Sequence, residues 1–231
     1  MIENKRRKFH HNIECVPTGF ANGSALDRPL TDEEKKQMIE EAAEHFGKFL
    51  DALKCDWRND PNSMETPHRV AKKYLEQWAG RYNAPPEITS FPSDGYKGMV
   101  LQTNIPLTSV CSHHHETILG RVHIAYIPGN DARVIGLSKL NRIVEHFGRR
   151  GAIQEQLTMA IHQAVDKVCE GNIGVAVTIV GEHQCVSCRG TNHKGSTMVT
   201  NHLTGVFIDK SEVRSEYFKS IELVAYYKQN M

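Results

Sequence analysis

The sequence contains no apolar run that approaches the roughly 20 residues needed for a membrane-spanning helix. It also has no excess of one charge, because 28 lysines and arginines balance 27 aspartates and glutamates, for a formal net charge of +1. That balance removes the usual electrostatic reason for binding nucleic acid or an anionic membrane, so neither is expected as a partner. The charged start MIENKRRKFHHN is not followed by the apolar segment of a secretory signal, and we therefore predict a cytoplasmic protein.

Cysteine is scarce, with six residues in a chain of 231. So few cysteines in a chain of this length do not predict a disulfide scaffold, and in a reducing compartment they favour free thiols or metal ligands. Hydrophobic residues make up 39% of the sequence, which suits a globular core and argues against wholesale disorder. We therefore expect a folded protein whose cysteines are thiols or metal ligands.

Hydrophobic periodicity divides the chain into three parts. Residues 1–30 have no periodicity and are interpreted as an N-terminal arm, residues 31–96 as a helical region, and residues 97–231 as the main domain. The last part reads as a hairpin, two helices, a second hairpin and a helix, which predicts an α+β fold with mostly antiparallel strands.

Capping and periodicity signals give bounds for the individual elements. Thr31 and Glu34 have the spacing of a capping box, and Thr66 is predicted to cap a second helix with Pro67 at its first position. Helices are predicted near 32–54, 66–79, 136–150, 153–169 and 211–227. Strands are predicted near 99–106, 117–127, 173–185 and, more weakly, 197–209, with a connection over 82–96.

Cysteine and histidine concentrate in two short segments, each at the edge of a predicted strand. Cys111 and His114 form a C-x2-H pair, and 183-HQCVSC-188 adds His183, Cys185 and Cys188. Thiolate and imidazole are the preferred donors of zinc, so the two clusters predict a zinc site.

Two kinds of zinc site remain open from the spacing. A closed structural site would use Cys111, His114, Cys185 and Cys188, whereas a catalytic site would keep three ligands and leave the fourth position to water. If residues 183–188 are extended, His183 and Cys185 face one way and Cys188 the other, which argues against Cys188 as a ligand.

The segment 136-GLSKLNRIVEHF-147 is a candidate anion site at the start of a predicted helix. Lys139 and Arg142 are three residues apart and share a face, close to Ser138. Cations at a helix N-terminus oppose the helix dipole unless a strongly negative group, such as a polyphosphate, binds there. The alternative is an ordinary solvated basic face.

The pair 154-QE-155 begins the next predicted helix and is a candidate for base recognition. A glutamate in a first turn commonly serves only the helix dipole. A carboxylate can, however, accept from the N1–H and the 2-amino group of guanine, and Gln154 beside Glu155 can contribute to the same edge. Zinc, polyphosphate and guanine together suggest a nucleotide hydrolase.

Six segments, spread over roughly residues 31–225, together resemble the GTP cyclohydrolase I family in order, spacing and content. They are 63-SMETPHRVAKKY-74, 107-LTSVCSHH-114, 122-VHIAYIPG-129, 135-IGLSKLNRIVEHF-147, 154-QEQLT-158 and 183-HQCVSCRG-190. The resemblance implies a tunnelling fold, in which an antiparallel sheet has its helices packed on one face and the sheets of several subunits join into a barrel. It also implies a homodecamer of two stacked pentamers, with active sites between subunits.

The resemblance further implies a reaction, the conversion of GTP to 7,8-dihydroneopterin triphosphate with release of formate, which begins pterin and folate, or deazaguanine, biosynthesis. It places Zn2+ on Cys111, His114 and Cys185 with an open position, so that a zinc-activated water attacks C8 of the purine. The implied catalytic residues are His183 at N7, His113 at the ribose ring oxygen and Ser138 near the sugar. The implied triphosphate ligands are Lys139, Arg142, Arg189 and Arg69, and Gln154 and Glu155 would read guanine.

Two positions depart from the family pattern. Ser112 stands where an acidic residue is usual, and Gly151-Ala152-Ile153 replaces a bulkier lead-in to Gln154. Two alternatives to the complete reaction remain. One is a variant that opens the purine without reclosing it, and the other is a non-catalytic module stapled by zinc, in which Cys188 closes the site.

Overall fold

The structure is a computed structural model that describes residues 9–11 and 28–229. The predicted N-terminal arm, residues 1–30, therefore lies almost wholly outside the described residues. Contacts divide the chain into two compact units, one formed by residues 24–84 and the other by the remainder of the chain. Among the described residues, no helix combines the length and the hydropathy required to cross a membrane.

The first unit contains helices α1 (Asp32–Ala52), α2 (Thr66–Gln77) and α3 (Ala79–Tyr82). The predicted capping box is confirmed, because the Thr31 hydroxyl accepts from the Glu34 backbone N–H at 3.2 Å and the Glu34 carboxylate accepts from the Thr31 N–H at 2.8 Å. The predicted cap of the second helix is wrong. Glu65 is the N-cap and makes no side-chain capping bond, so Thr66 and Pro67 both belong to the first turn, where proline is well tolerated.

The second unit contains two antiparallel sheets, which confirms the α+β prediction. Strands β1 (Phe9–His11), β2 (Ile88–Pro92) and β5 (Arg133–Ile135) form one sheet in the order β1-β2-β5. Strands β3 (Val100–Val110), β4 (Thr117–Pro128), β6 (Asn172–His183) and β7 (Thr197–Leu203) form the other in the order β3-β4-β6-β7. The helices of this unit are α4 (Leu137–Gly148), α5 (Gln154–Val168), α6 (Gln184–Ser187), α7 (Val206–Asp209) and α8 (Ser211–Gln229).

The prediction of helices on one face of the sheet is wrong, because helices pack on both faces of the four-stranded sheet. Ile124 and Tyr126 of β4 belong to the apolar cluster that α4 and α5 complete. The alternate residues Ala125 and Ile127 belong to a second cluster, which α7 and α8 complete with Phe207 and Tyr217. Since neighbouring side chains of a strand point to opposite faces, the two helix pairs cover opposite sides.

One predicted connection and one predicted strand differ from the structure for local reasons. The predicted connection over 82–96 contains β2, a short strand of five residues that ends at Pro92. The predicted strand over 197–209 stops at Leu203, because Gly205 turns the chain into α7 with a φ of 53°. A side chain at Gly205 would meet the Ile173 carbonyl oxygen at 2.1 Å, so this turn requires glycine.

A buried histidine joins α5 to the end of β7. His162 is 3% exposed, its Nε2 lies 3.1 Å from the Thr204 hydroxyl, and its ring packs edge-on against His202 with 4.4 Å between ring centroids. Burial, reinforced by His202, lowers the pKa of His162 to about 4. The folded protein therefore keeps this side chain neutral under mildly acidic conditions that protonate it in the unfolded chain.

We expect the free energy of unfolding to fall as the pH is lowered from about 6.5 to about 4, by at most about 3 kcal/mol from His162. Within that window the unfolded chain binds a proton at this position and the folded chain does not, so acid favours unfolding. Urea unfolding at pH 7 and pH 4.5 measures the effect. His162→Gln should lose less stability on acidification than the wild type, whereas His45→Gln, at an exposed position of α1, should match the wild type. Equal losses in all three proteins would contradict the assignment.

Candidate active site

Backbone pairing brings three distant segments together at one end of the four-stranded sheet. Val110 pairs with Thr117, so residues 111–116 form the loop between β3 and β4. Ile118 pairs with His183, which places the end of β6 beside that loop. Cys111 forms a parallel bridge with Ala152, which holds the start of α5 at the same place. We call this end of the sheet, where residues 111–116, 154–155 and 183–185 meet, the thiol end.

Three potential metal donors converge at the thiol end. The sulfurs of Cys111 and Cys185 and a ring nitrogen of His183 all lie within 4.8 Å of one another. Burial raises the pKa of the Cys185 thiol, the adjacent Cys111 raises it further, and Arg189 lowers it. Two neighbouring thiols resist ionising together unless a cation offsets their charge. Their closeness and their soft donor chemistry therefore fit a metal ion.

The structure brings together two of the three predicted zinc ligands. His114 is exposed on the β3–β4 loop and is not part of the donor group formed by the described residues, where His183 takes the third place. His113 is also exposed, with its Nδ1 3.7 Å from the Cys111 sulfur. The loop itself is tight, because the His115 N–H donates to the Cys111 carbonyl at 2.9 Å and His115 adopts a φ of 56°. Ligation by His114 stays a prediction.

The segment 183–188 is not extended, so the premise of the alternation argument about Cys188 is wrong. β6 ends at His183, and the chain turns directly into the short helix α6. Cys185 lies in this turn and points to the donor group, while Cys188 follows it and is exposed. Cys188 is outside the donor group for a different reason from the one that strand alternation gave.

Gln154 lies inside the protein rather than on an open surface. The residue is 1% exposed, and its amide nitrogen donates to the carbonyl oxygens of Ile179 at 3.2 Å and Met198 at 3.0 Å. The same nitrogen lies 3.1 Å from the Thr200 hydroxyl. The amide oxygen lies 2.9 Å from Nε2 of His183. The amide thus joins α5, β6 and β7 beneath the donor group.

His183 and Glu155 form the accessible part of the same corner. Burial lowers the pKa of His183 below its ordinary value of 6.5, and the nearby Glu155 carboxylate opposes that shift. His183 is therefore mainly neutral at pH 7, which leaves one ring nitrogen able to accept a proton or bind a metal ion. Glu155, in the first turn of α5, is exposed and so is available to a ligand.

The predicted anion site lies at the other end of β3. Gln102, near the start of β3, bonds Asn141 in the second turn of α4. A side-chain methyl at Gly148, where α4 ends, would lie 3.2 Å from the Thr108 carbonyl oxygen, so α4 runs alongside β3 in the direction of Cys111. Gln102 and Cys111 are nine residues apart, which in a strand is about 30 Å.

Ser138, Lys139 and Arg142 therefore lie far from the thiol end of their own chain, and we call their position the anion end. Ser138 and Arg142 are exposed there, and the Lys139 ammonium donates to the Glu87 carbonyl at 3.1 Å. The other two predicted phosphate ligands belong to other elements. Arg189 is exposed just after α6, close enough to influence Cys185. Arg69 is exposed on α2, in the unit formed by residues 24–84.

The sequence-based prediction did not identify three residues that support the thiol end. Thr158 and Thr200 lie beside Gln154, with 2.6 Å between their hydroxyl oxygens. A methyl group at Gly181 would lie 2.5 Å from the Gln154 amide oxygen, so this glycine makes room for the amide. An isolated glycine within a predicted strand is a signal of such a close approach. For Thr200 no sequence signal exists.

Comparison with known proteins matches this chain to a described family. The model of the family GTP cyclohydrolase I matches residues 42–222. GTP cyclohydrolase 1 of Pelagibacter ubique is 39% identical over 194 residues, covering 81% of this chain and 92% of that protein. The enzymes of the same name from Tolumonas auensis and Photobacterium profundum are each 39% identical, over 191 and 204 residues, covering 81% and 85% of this chain and 85% and 91% of their own length.

The matched region includes both ends of β3 and every residue that meets at the thiol end. These relatives align with more than four-fifths of the chain at 39% identity, which shows a shared family. The chain belongs to the GTP cyclohydrolase I family.

Proposed function

We propose that this protein converts GTP to 7,8-dihydroneopterin triphosphate and formate, the reaction that its family catalyses. The observation that carries the proposal for this chain is the thiol end. There Cys111, Cys185 and a largely neutral His183 meet beside the exposed carboxylate of Glu155. Opening a purine requires a site that activates water, moves protons and recognises the base, and this corner has residues suited to each task.

We propose zinc as the metal, held by Cys111, Cys185 and His114. The closeness of the two sulfurs supports the first two ligands, and the position of His114 on the same loop as Cys111 supports the third. When bound, zinc supplies Lewis-acid chemistry and lowers the pKa of water. With His114 on the metal, His183 remains free to exchange protons with the purine.

Proton transfer falls to two histidines in this proposal. His183, kept mainly neutral by burial, accepts a proton as water adds to C8 and returns it at N7 of the purine. His113, exposed on the β3–β4 loop, protonates the ribose ring oxygen once the base has been opened. Ser138 assists near the sugar from the anion end of another chain.

Guanine recognition is assigned to the first turn of α5. The exposed Glu155 carboxylate can accept from both the N1–H and the 2-amino group of guanine, an arrangement that adenine cannot match. Its proximity to His183 supports this placement, since the purine must reach both residues. Gln154 was predicted to share this task, but its amide is buried and does not face a ligand.

The triphosphate site is proposed to come from a second chain. Lys139 and Arg142 lie at the anion end, about 30 Å along β3 from Cys111, which is too far to serve a triphosphate whose purine is at the thiol end of the same chain. A neighbouring copy can place its anion end there, with Arg189 from the thiol end and Arg69 of another subunit completing the cationic surface. Each pocket therefore needs at least two subunits.

The edges of the four-stranded sheet support such an assembly. Within the described part of the chain, β3 and β7 each pair with one neighbour only, β4 and β6 respectively. Each strand thus has a second edge able to pair with another copy, which is how the sheets of several subunits can join into a barrel. We propose the tunnelling fold on this basis, and the homodecamer of two pentamers from the resemblance to the family.

A non-catalytic zinc-stapled module is less well supported. It requires Cys188 as a fourth protein ligand, but the Cys188 thiol is exposed and lies outside the donor group of the described residues. A closed structural site also has no use for the exposed Glu155 and the neutral His183 beside it.

Incubation of the zinc-loaded protein with GTP tests the proposed reaction directly. We expect one formate for each GTP consumed and a product that becomes a fluorescent pterin on oxidation. A formylated or ring-opened pyrimidine that accumulates without a pterin would show that the reaction stops before reclosure. Absence of formate would refute the function.

Cys185→Ser should lose bound zinc and turnover together, because two remaining ligands hold the ion poorly. Metal analysis after dialysis, paired with formate release, measures both. Cys188→Ser is the matched control, since it makes the same change three residues away and should keep zinc and activity near the wild-type level.

The same metal analysis decides which histidine is the third ligand. His114→Ala should lose zinc, whereas His183→Ala should retain it and lose turnover. The reverse pattern would move His183 into the zinc site and free His114.

Glu155→Gln should raise KM for GTP by about 10- to 100-fold, because the lost guanine contacts are worth roughly 1–3 kcal/mol. Inhibition by inorganic triphosphate should be unchanged, since the phosphate ligands are elsewhere. If the variant lost affinity equally for GTP and ATP, or lost triphosphate binding, Glu155 would not contact the base.

A further inference from the structure

The orientation of the Gln154 amide is fixed by its surroundings. Because the residue is 1% exposed, both ends of the amide must find partners within the protein. One end faces the carbonyl oxygens of Ile179 and Met198, at 3.2 and 3.0 Å, and carbonyls only accept hydrogen bonds. That end is therefore the NH2 group, and the end that faces His183 at 2.9 Å is the oxygen.

This orientation determines where His183 carries its hydrogen. An amide oxygen can only accept, so Nε2 of His183 must be the donor in the 2.9 Å contact. A neutral imidazole has one N–H and one lone pair, and the lone pair is consequently on Nδ1. Gln154 thereby selects which of the two ring nitrogens can accept a proton.

A ring of hydroxyl contacts keeps Gln154 in place. The Thr158 hydroxyl donates to the backbone carbonyl of Gln154 at 2.7 Å, so it can only accept from the Thr200 hydroxyl, 2.6 Å away. The Thr200 oxygen in turn accepts from the Gln154 amide at 3.1 Å, sharing the two amide hydrogens with the two carbonyls. In each of these contacts the donor and the acceptor are fixed, so flipping the amide or rotating the His183 ring would break hydrogen bonds inside the protein.

The packing of β6 confirms that the amide position is specific. Gly181, two residues before His183, has no side chain, and a methyl group there would lie 2.5 Å from the Gln154 amide oxygen. The missing side chain of Gly181 therefore provides the space that the Gln154 amide oxygen occupies beside His183. A residue that read guanine would need its polar atoms towards the pocket, whereas both polar ends of Gln154 are turned into the protein.

We propose that Gln154 is a positioning residue, which holds His183 with its hydrogen on Nε2 so that Nδ1 is the nitrogen that exchanges protons with substrate, and that Gln154 does not read guanine. The proposal rests on the function proposed above. In the step concerned, Nδ1 takes a proton from water as the water oxygen bonds to C8. The imidazolium then returns that proton to N7, and the Nε2–H bond to Gln154 persists throughout.

The kinetic test compares Gln154→Met with Glu155→Gln, using GTP and inosine triphosphate, which lacks the 2-amino group. Gln154→Met should lower kcat about 10- to 100-fold, within the range of general acid–base contributions, while KM and the preference for GTP over inosine triphosphate stay within threefold of the wild type. Glu155→Gln should instead reduce that preference. A loss of preference in Gln154→Met with kcat intact would overturn the proposal and make Gln154 a base reader.

Gly181→Ala is a second variant that leaves Gln154 itself unchanged. Its methyl group displaces the amide oxygen, so it should lower kcat in the same manner as Gln154→Met with unchanged zinc content. Full activity in Gly181→Ala, with the fold intact by circular dichroism, would show that the amide position does not matter and would overturn the proposal.

A spectroscopic measurement distinguishes failure of this proposal from failure of the proposed function. Solid-state NMR of the zinc-loaded protein with 15N-labelled histidine reports which ring nitrogen is protonated, and the signals lost in His183→Gln identify this residue. We expect hydrogen on Nε2 of His183. Hydrogen on Nδ1 would refute the positioning role, whether or not the protein releases formate from GTP.

Discussion

The register between β4 and its two neighbours, β3 and β6, decides which side chains meet at the thiol end. Val110 lies opposite Thr117 and Ile118 lies opposite His183, so two sequence segments about 70 residues apart end at the same place. A slip of one residue in β6 would turn His183 to the opposite face and move Cys185 away from Cys111. Residues 174–179 of β6 are buried on both faces and oppose such a slip, because it would move each of these side chains out of its packing position.

The start of α5 combines support and recognition in two consecutive residues. Gln154 points into the protein and joins the helix to β6 and β7, whereas Glu155 is exposed to a ligand. Adjacent residues of a helix point about 100° apart, so one turn can serve both purposes without conflict. The rigidity that a reacting imidazole needs thus comes from the same helical turn that presents a carboxylate to the base.

Local patterns predicted much of this protein, and long-range pairing accounts for most of what they missed. The capping box of Thr31 and the grouping of Cys111 with Cys185 follow from spacing and donor chemistry, which a sequence displays directly. Strands as short as β2 carry too little periodicity to stand out, and the turn of α6 interrupts a pattern that looked extended. The burial of Gln154 was invisible for a different reason, since a glutamine in a first helical turn is ordinarily exposed, and only the fold supplies its partners.

The distance between the two ends of β3 has a consequence for how damage spreads. On the proposed assembly, every polypeptide lends its thiol end to one pocket and its anion end to another. A chain with a defect at one end can still contribute its other, intact end to a neighbouring pocket. Co-assembly of two chains with defects at different ends would then restore some active pockets, a form of complementation between alleles. Dissociation into single chains would abolish activity although every side chain is intact.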